Sequence, residues 1–195
     1  MTTTLLTLRS KLQKTIGDDK LAYADKYTDA LNYAAEDLYP IIFKPIDDET
    51  SLDATLDTYE YELPTDFNEG HLSKVFIQPS GSSTWTPLFG WQVIVKSSEK
   101  YLKLDKVVVG DLRLEGYTKF EALTTDVSTI SLDGEKLSLL IAQAIIRLYE
   151  MKRGVISMDS RGRYDEEISY WRYKAEELKG RHRMSRPASQ IRWVS

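Results

Sequence analysis

The side chains that could carry chemistry are few and scattered. There are two histidines, His71 and His182, and no cysteine among 195 residues. Composition therefore excludes a disulfide scaffold, a thiolate metal site and a cysteine nucleophile. Neither histidine has a serine or an acid at the spacing of a catalytic motif. No G-x-S-x-G, phosphate-binding P-loop or H-E-x-x-H pattern occurs. The run Asp47-Asp48-Glu49 lacks the alternation and the glycine of a calcium loop, so it reads as a solvated acidic loop. Gly110-Asp111-Leu112 reads as a hairpin turn. The expectation is a protein that is not an enzyme, with no catalytic residues, no metal and no cofactor.

Four tryptophans are the other candidates for a site. Trp171 falls on a helical stripe and is expected in a core. Trp85 and Trp91 fall in strand-like segments, where half-burial accounts for them, although two such rings could also form a carbohydrate- or base-stacking platform. Trp193 stands in a basic, aperiodic terminal stretch with no core of its own. It either docks back on its own subunit or anchors to a partner, since tryptophan and arginine are the usual binding anchors.

Charge is polarised along the chain. Residues 1–140 carry 14 Lys/Arg and 23 Asp/Glu, whereas residues 141–195 carry 12 and 7. The last fifteen residues hold Arg181, His182, Arg183, Arg186 and Arg192 and no acid. That asymmetry suits self-association, acidic body against basic tail, or an acidic partner, and it equally suits an exposed tail. No apolar run reaches the roughly 18–20 residues that span a bilayer. The opening Met1-Thr-Thr-Thr-Leu-Leu-Thr-Leu-Arg lacks the basic and long apolar regions of a secretory signal, so the protein is expected to stay where it is made.

The elements that would position these residues read as helix, strand, helix. Leu5, Leu8 and Leu12 share a stripe over residues 4–16, capped by threonine and ended at Gly17. Tyr27, Ala30, Leu31, Ala34 and Leu38 mark a second helix over residues 23–39, stopped by Pro40. Residues 45–57 are acidic and aperiodic, and read as an exposed loop. Period two then appears in five runs (59–63, 72–78, 85–95, 101–105 and 112–117), which predicts an antiparallel sheet or small sandwich. Pro87 makes the third run a sheet edge. From Asp133 the period returns to 3.6. Leu137, Leu140, Ile141, Ala144, Ile145 and Leu148 form a broad stripe with Asp133 as N-cap and Gly154 as a C′ residue. A last helix over 163–179 carries Tyr164, Ile168, Trp171, Ala175 and Leu178 inward. The expected fold is α+β, a bundle of about four helices (4–39 and 134–180) with an antiparallel β insertion over 58–118. One domain then spans 1–180, followed by an extended arm over 181–195.

The order of these pieces resembles the head–tail connector (adaptor) proteins of tailed bacteriophages. The resemblance runs through Leu5 to Asp18, an opening helix ending in Gly-Asp, and through Tyr27 to Pro40. It continues with Tyr61-Glu-Leu-Pro-Thr-Asp-Phe67, Leu112-Arg-Leu-Glu-Gly-Tyr117 and Leu137 to Arg153 before a charged closing helix. The resemblance implies a virion protein of the neck, assembled in the host cytoplasm, with no membrane association. It implies a ring of identical subunits, commonly twelve, beneath the portal protein and above a tail, stopper or nozzle protein. Genomic DNA would cross the lumen without specific binding, which suits an acidic body, because each phosphate contact adds salt-dependent affinity. The arm residues Arg181, Arg183, Arg186, Ile191, Arg192 and Trp193 would bind the portal or a neighbour. The large β region departs from compact members and leaves long-tailed and short-tailed placement open. The alternatives are a receptor- or carbohydrate-binding tail module using Trp85 and Trp91, and a nucleic-acid-binding protein using the basic arm.

Overall fold

The computed structural model describes residues 2–17, 24–154 and 161–182. In chain order the first elements are strand β1 (Thr2–Thr4) and helices α1 (Leu5–Ile16) and α2 (Ala24–Asp37). Strands β2 (Lys44–Ala54) and β3 (Glu60–Glu62), the short helix α3 (Thr65–Glu69) and strands β4 (His71–Gln78) and β5 (Thr86–Pro87) come next. They lead into strands β6 (Trp91–Lys96), β7 (Glu99–Leu104) and β8 (Gly110–Thr118). Strand β9 (Thr129–Ser131) and helices α4 (Gly134–Arg153) and α5 (Arg161–His182) complete the described chain. Two compact units result, one from the described residues before Phe43 and after Thr118, the other from Phe43–Thr118.

In the helical unit, Thr4 caps α1 by accepting the Thr7 amide. Gly17, at φ +66, ends α1 in the left-handed conformation and donates its N–H to the Gln13 and Lys14 carbonyls. Asp133 caps α4, accepting the Lys136 amide at 2.8 Å. Helix α4 buries nine side chains spread over more than one face and packs against α1, α2 and α5. That makes it the axis of the helical core. The stripes read from the sequence are the buried ones: Leu5, Leu8 and Leu12 from α1, and Tyr27, Ala30, Leu31 and Ala34 from α2. Among its described side chains helix α5 buries Ile168 and Ala175, with Trp171 and Leu178 packed partly against the same core. Gly154 ends α4 at φ −64, in right-handed rather than C′ left-handed geometry.

The expected helical bundle with a β appendage is overturned. Five helices and nine strands occur among the described residues, and the strands form three antiparallel sheets within a general α+β class. One sheet, β1 against β9 with Thr3 opposite Ile130, belongs to the helical unit itself. The other two, ordered β2-β8-β4-β5 and β3-β7-β6, share a core of their own. Leu112 and Leu114 of β8, Leu102 and Leu104 of β7, and Phe67 of α3 fill that core. Gly116 is required there, since a Cβ would lie 2.1 Å from the His71 carbonyl oxygen and 2.7 Å from the Phe67 ring.

The β unit also starts earlier than residue 58. The acidic stretch read as a loop is β2, an edge strand paired with β8 from Lys44 opposite Thr118 to Ala54 opposite Gly110, with an irregularity between Asp48 and Leu52. Its charges obscured the alternation because an edge strand can carry carboxylates without burying them. Asp47 instead meets Arg113 of β8 in two hydrogen bonds, 2.9 and 2.7 Å long.

Candidate functional site

The residues singled out for chemistry lie on different elements and units. His71 starts β4 in the β unit, stacked on Tyr117 with ring centroids 5.2 Å apart, while His182 is the last residue of α5. Burial, and then the nearby Lys100 charge, hold the His71 imidazole below its usual pKa. Among the described residues, no group of three or more His, Asp or Glu side chains is placed to hold a metal ion. Asp47 is engaged by Arg113, as described above. Trp171 packs against the helical core and Trp91 against the β core, and Trp85 is half-buried. Among the described residues, no helix is long and apolar enough to cross a membrane.

Of the arm residues, Arg181 lies on α5, which continues to His182. It donates to Glu177 at 2.6 Å and lies 3.9 Å from Glu135 of α4. Arg183, Arg186, Ile191, Arg192 and Trp193 fall outside the described residues. Arg181 stands at the lip of a groove of about 370 Å³ between α1, α4 and α5. The apolar floor includes Ile141, Ala142 and Leu178, and Lys11 and Lys174 share the lip with Arg181.

A chain of charges ties α2, α4 and α5 of the helical unit. Arg147 of α4 holds both Asp37 oxygens at 2.6 Å, and its other terminal nitrogen reaches Glu150 at 3.0 Å. Gln143 adds a third donor to Asp37 at 3.0 Å, and Arg172 of α5 donates to Glu150 at 2.8 Å. The Arg147 hydrogen bonds keep the Asp37 carboxyl below the ordinary aspartate range. The bidentate fork thus joins α2 to α4, and the single Arg172–Glu150 bond extends the chain to α5.

Sequence reading passed over the surface apolar groups. Tyr170 and Tyr173 of α5 are 52% and 74% exposed, and Phe89, in the bend between β5 and β6, is 84% exposed. A signal for the tyrosines was present, because both fall off the 168-171-175-178 stripe. Phe89 sits between Pro87 and Gly90, a turn position that gives no hint of burial. Large apolar side chains are thus left in solvent on both units.

One concavity of the β unit is a groove of about 490 Å³ bounded by β6 on one side and by α3 and the start of β4 on the other. Lys100 lies in it and donates to the Gly70 and Phe67 carbonyls at 2.7 and 3.3 Å, capping the end of α3. Burial lowers the Lys100 pKa. Comparison with protein-family models and with curated proteins finds no match for this chain.

Proposed function

We propose that the protein is a structural virion subunit, a head–tail adaptor that assembles with copies of itself into a ring between the portal and the tail of a bacteriophage. The observation that carries this reading is the exposure of large apolar side chains on both units. Leu6, Tyr170 and Tyr173 are exposed on the helical unit and Leu56, Phe89 and Val95 on the β unit. A ring subunit in a stack needs contact surfaces toward its neighbours and toward the layers above and below. The order of elements supports the same reading: two helices, a β unit inserted once between Ile42 and Lys119, then two long helices. Three basic groups of α5 are engaged by carboxylates, Arg172 by Glu150, Lys179 by Glu176 and Arg181 by Glu177, which weighs against a phosphate-gripping helix.

In this reading the segment after α5 attaches the ring to the portal, with Ile191 and Trp193 as apolar anchors and Arg183, Arg186 and Arg192 as charged ones. Ordering an extended segment costs about 1–2 kcal/mol per residue of backbone entropy, which a buried indole and arginine–carboxylate pairs can offset. The test is electron microscopy of the purified protein with and without its portal, repeated on a chain truncated after Ser189. The full chain should form rings seated on the portal, and the truncated chain should remain folded yet leave the portal bare. A full-length protein that stays monomeric and unbound overturns the reading.

A further inference from the structure

We propose that the free edge of β6 is a binding site for an extended, acidic segment of a partner protein, which adds to the β3-β7-β6 sheet as a fourth strand. The edge is defined by the hairpin. Ser97 and Ser98 both have positive φ, 50° and 77°, and make a two-residue turn closed by Lys96 opposite Glu99. Such a turn makes the closing pair hydrogen-bonded, and pairs alternate along the ladder. Lys96, Ile94 and Gln92 therefore bond to β7, while Val95, Val93 and Trp91 aim N–H and C=O away from it. The far side of β7 confirms the phase, because Lys100 and Leu104 turn their backbones toward the β3 side. The Leu63 amide bonds to the Lys100 carbonyl at 2.9 Å and the Leu104 amide to the Tyr59 carbonyl at 2.8 Å. No described strand pairs with β6 on its outer side.

Sheet edges in soluble proteins are normally blunted by brevity, proline, bulges or charge. Three of the four edges of the two larger sheets obey that rule. β2 carries Pro45, an irregular register and acidic residues; β5 is two residues long and contains Pro87; β3 has three residues. β6 has six residues, a regular register, no proline and a single charge at its end. It is built to be paired.

The groove along β6 selects the partner. Val93 and Val95 face Phe67 and Leu72 across it, so alternate apolar side chains of an added strand have a place to insert. Its volume falls within the roughly 300–1,000 Å³ of ligand clefts. Lys96, Lys100 and Lys103 line it against one carboxylate, Glu60, which pairs with both Lys96 and Lys103, and Glu99 stands opposite Lys96 outside the groove. That excess favours acidic residues between the apolar ones and disfavours the chain's own basic terminus. The proposal stands apart from the adaptor reading, since it concerns the isolated protein.

Two synthetic probes test it, acetyl-EVEVEVE-amide and acetyl-KVKVKVK-amide, titrated into the full-length protein with residue-resolved hydrogen exchange as readout. The acidic peptide should slow exchange of the Val93 and Val95 amides at least tenfold and leave Ile94, already bonded to β7, unchanged. The basic peptide should do neither. V95P removes an outward-facing amide without touching the ladder and should abolish the effect. K96Q/K103Q, which leaves the backbone intact, should weaken acidic-peptide binding at least tenfold and decides the matter if V95P fails to fold. Equal protection by both peptides, or by neither, overturns the proposal. Self-association of the wild type that V95P abolishes and the acidic peptide does not compete overturns it too, in favour of a second copy on this edge.

Discussion

Asp37 and Arg147 show what a single pair contributes when the geometry is bidentate but partly solvated. Their side chains are 27% and 39% exposed, so solvent screening discounts the Coulombic gain. Asp37→Asn should lower stability by about 1–2 kcal/mol, measured by urea unfolding at neutral pH. Because the folded carboxyl titrates below its unfolded value, its contribution is full above about pH 4 and fades as pH falls through the folded pKa. The wild type and D37N should therefore converge in acid. His71 acts in the opposite chemical sense but along the same axis. Its imidazole is held below the usual value of about 6.5, so the unfolded chain takes up the proton first on acidification. Wild-type stability should decline below about pH 6.5, and His71→Gln should flatten that part of the profile. An unchanged slope between pH 6.5 and 5 in H71Q would discard this account.

At the scale of elements, close approach and helix propensity make contrasting demands on glycine. Gly116 of β8 lets the β4 backbone and the α3 ring of Phe67 come within contact of its Cα. Gly116→Ala would force one of them aside and should cost about 2 kcal/mol or more of β-unit stability, because the His71 neighbour is rigid backbone. Gly180, by contrast, lies in α5 with nothing within 4 Å of a built Cβ. Gly180→Ala should stabilise the last turns of α5 by about 0.5–1 kcal/mol, visible as a small rise in Tm. The two variants separate packing from propensity within one chain.

For the whole molecule, the decisive feature is that each unit carries its own core. The helical core draws on α1, α2, α4 and α5, the β core on both larger sheets and α3. Both connections between units run through the antiparallel pair Lys44 opposite Thr118, so the chain leaves and returns side by side. Replacing residues 43–118 with a short Gly/Ser linker should leave a cooperatively folded helical remainder, measured by far-UV circular dichroism on heating. A remainder without a thermal transition would show that the helical core depends on the β unit. Residues 43–118 expressed alone should fold likewise, and their isolated stability can be compared with that of the full chain.

The local signals in the sequence were sufficient for the four long helices but not for the five-residue α3. The leucine stripe of α1, the Thr4 and Asp133 caps and the Gly17 terminus are all nearest-neighbour physics, and each stands where the spacing placed it. The alternation of β4, β7 and β8 was legible for the same reason, since one face of each strand is buried. Strand β2 was not, because an edge strand wears its charges in solvent and shows period two only through its partner β8. The short strands β1 and β9 were missed because three residues carry no period, and only their mutual pairing creates them. Whether the β segment was an appendage or a unit with its own core could not be read locally either. That depended on two sheets closing over Leu102, Leu104, Leu112 and Leu114, contacts between residues distant in sequence. The β6 edge belongs to the same class. Its residues were visible as a strand, but its lack of a neighbour is a property of sheet order, which tertiary structure alone decides.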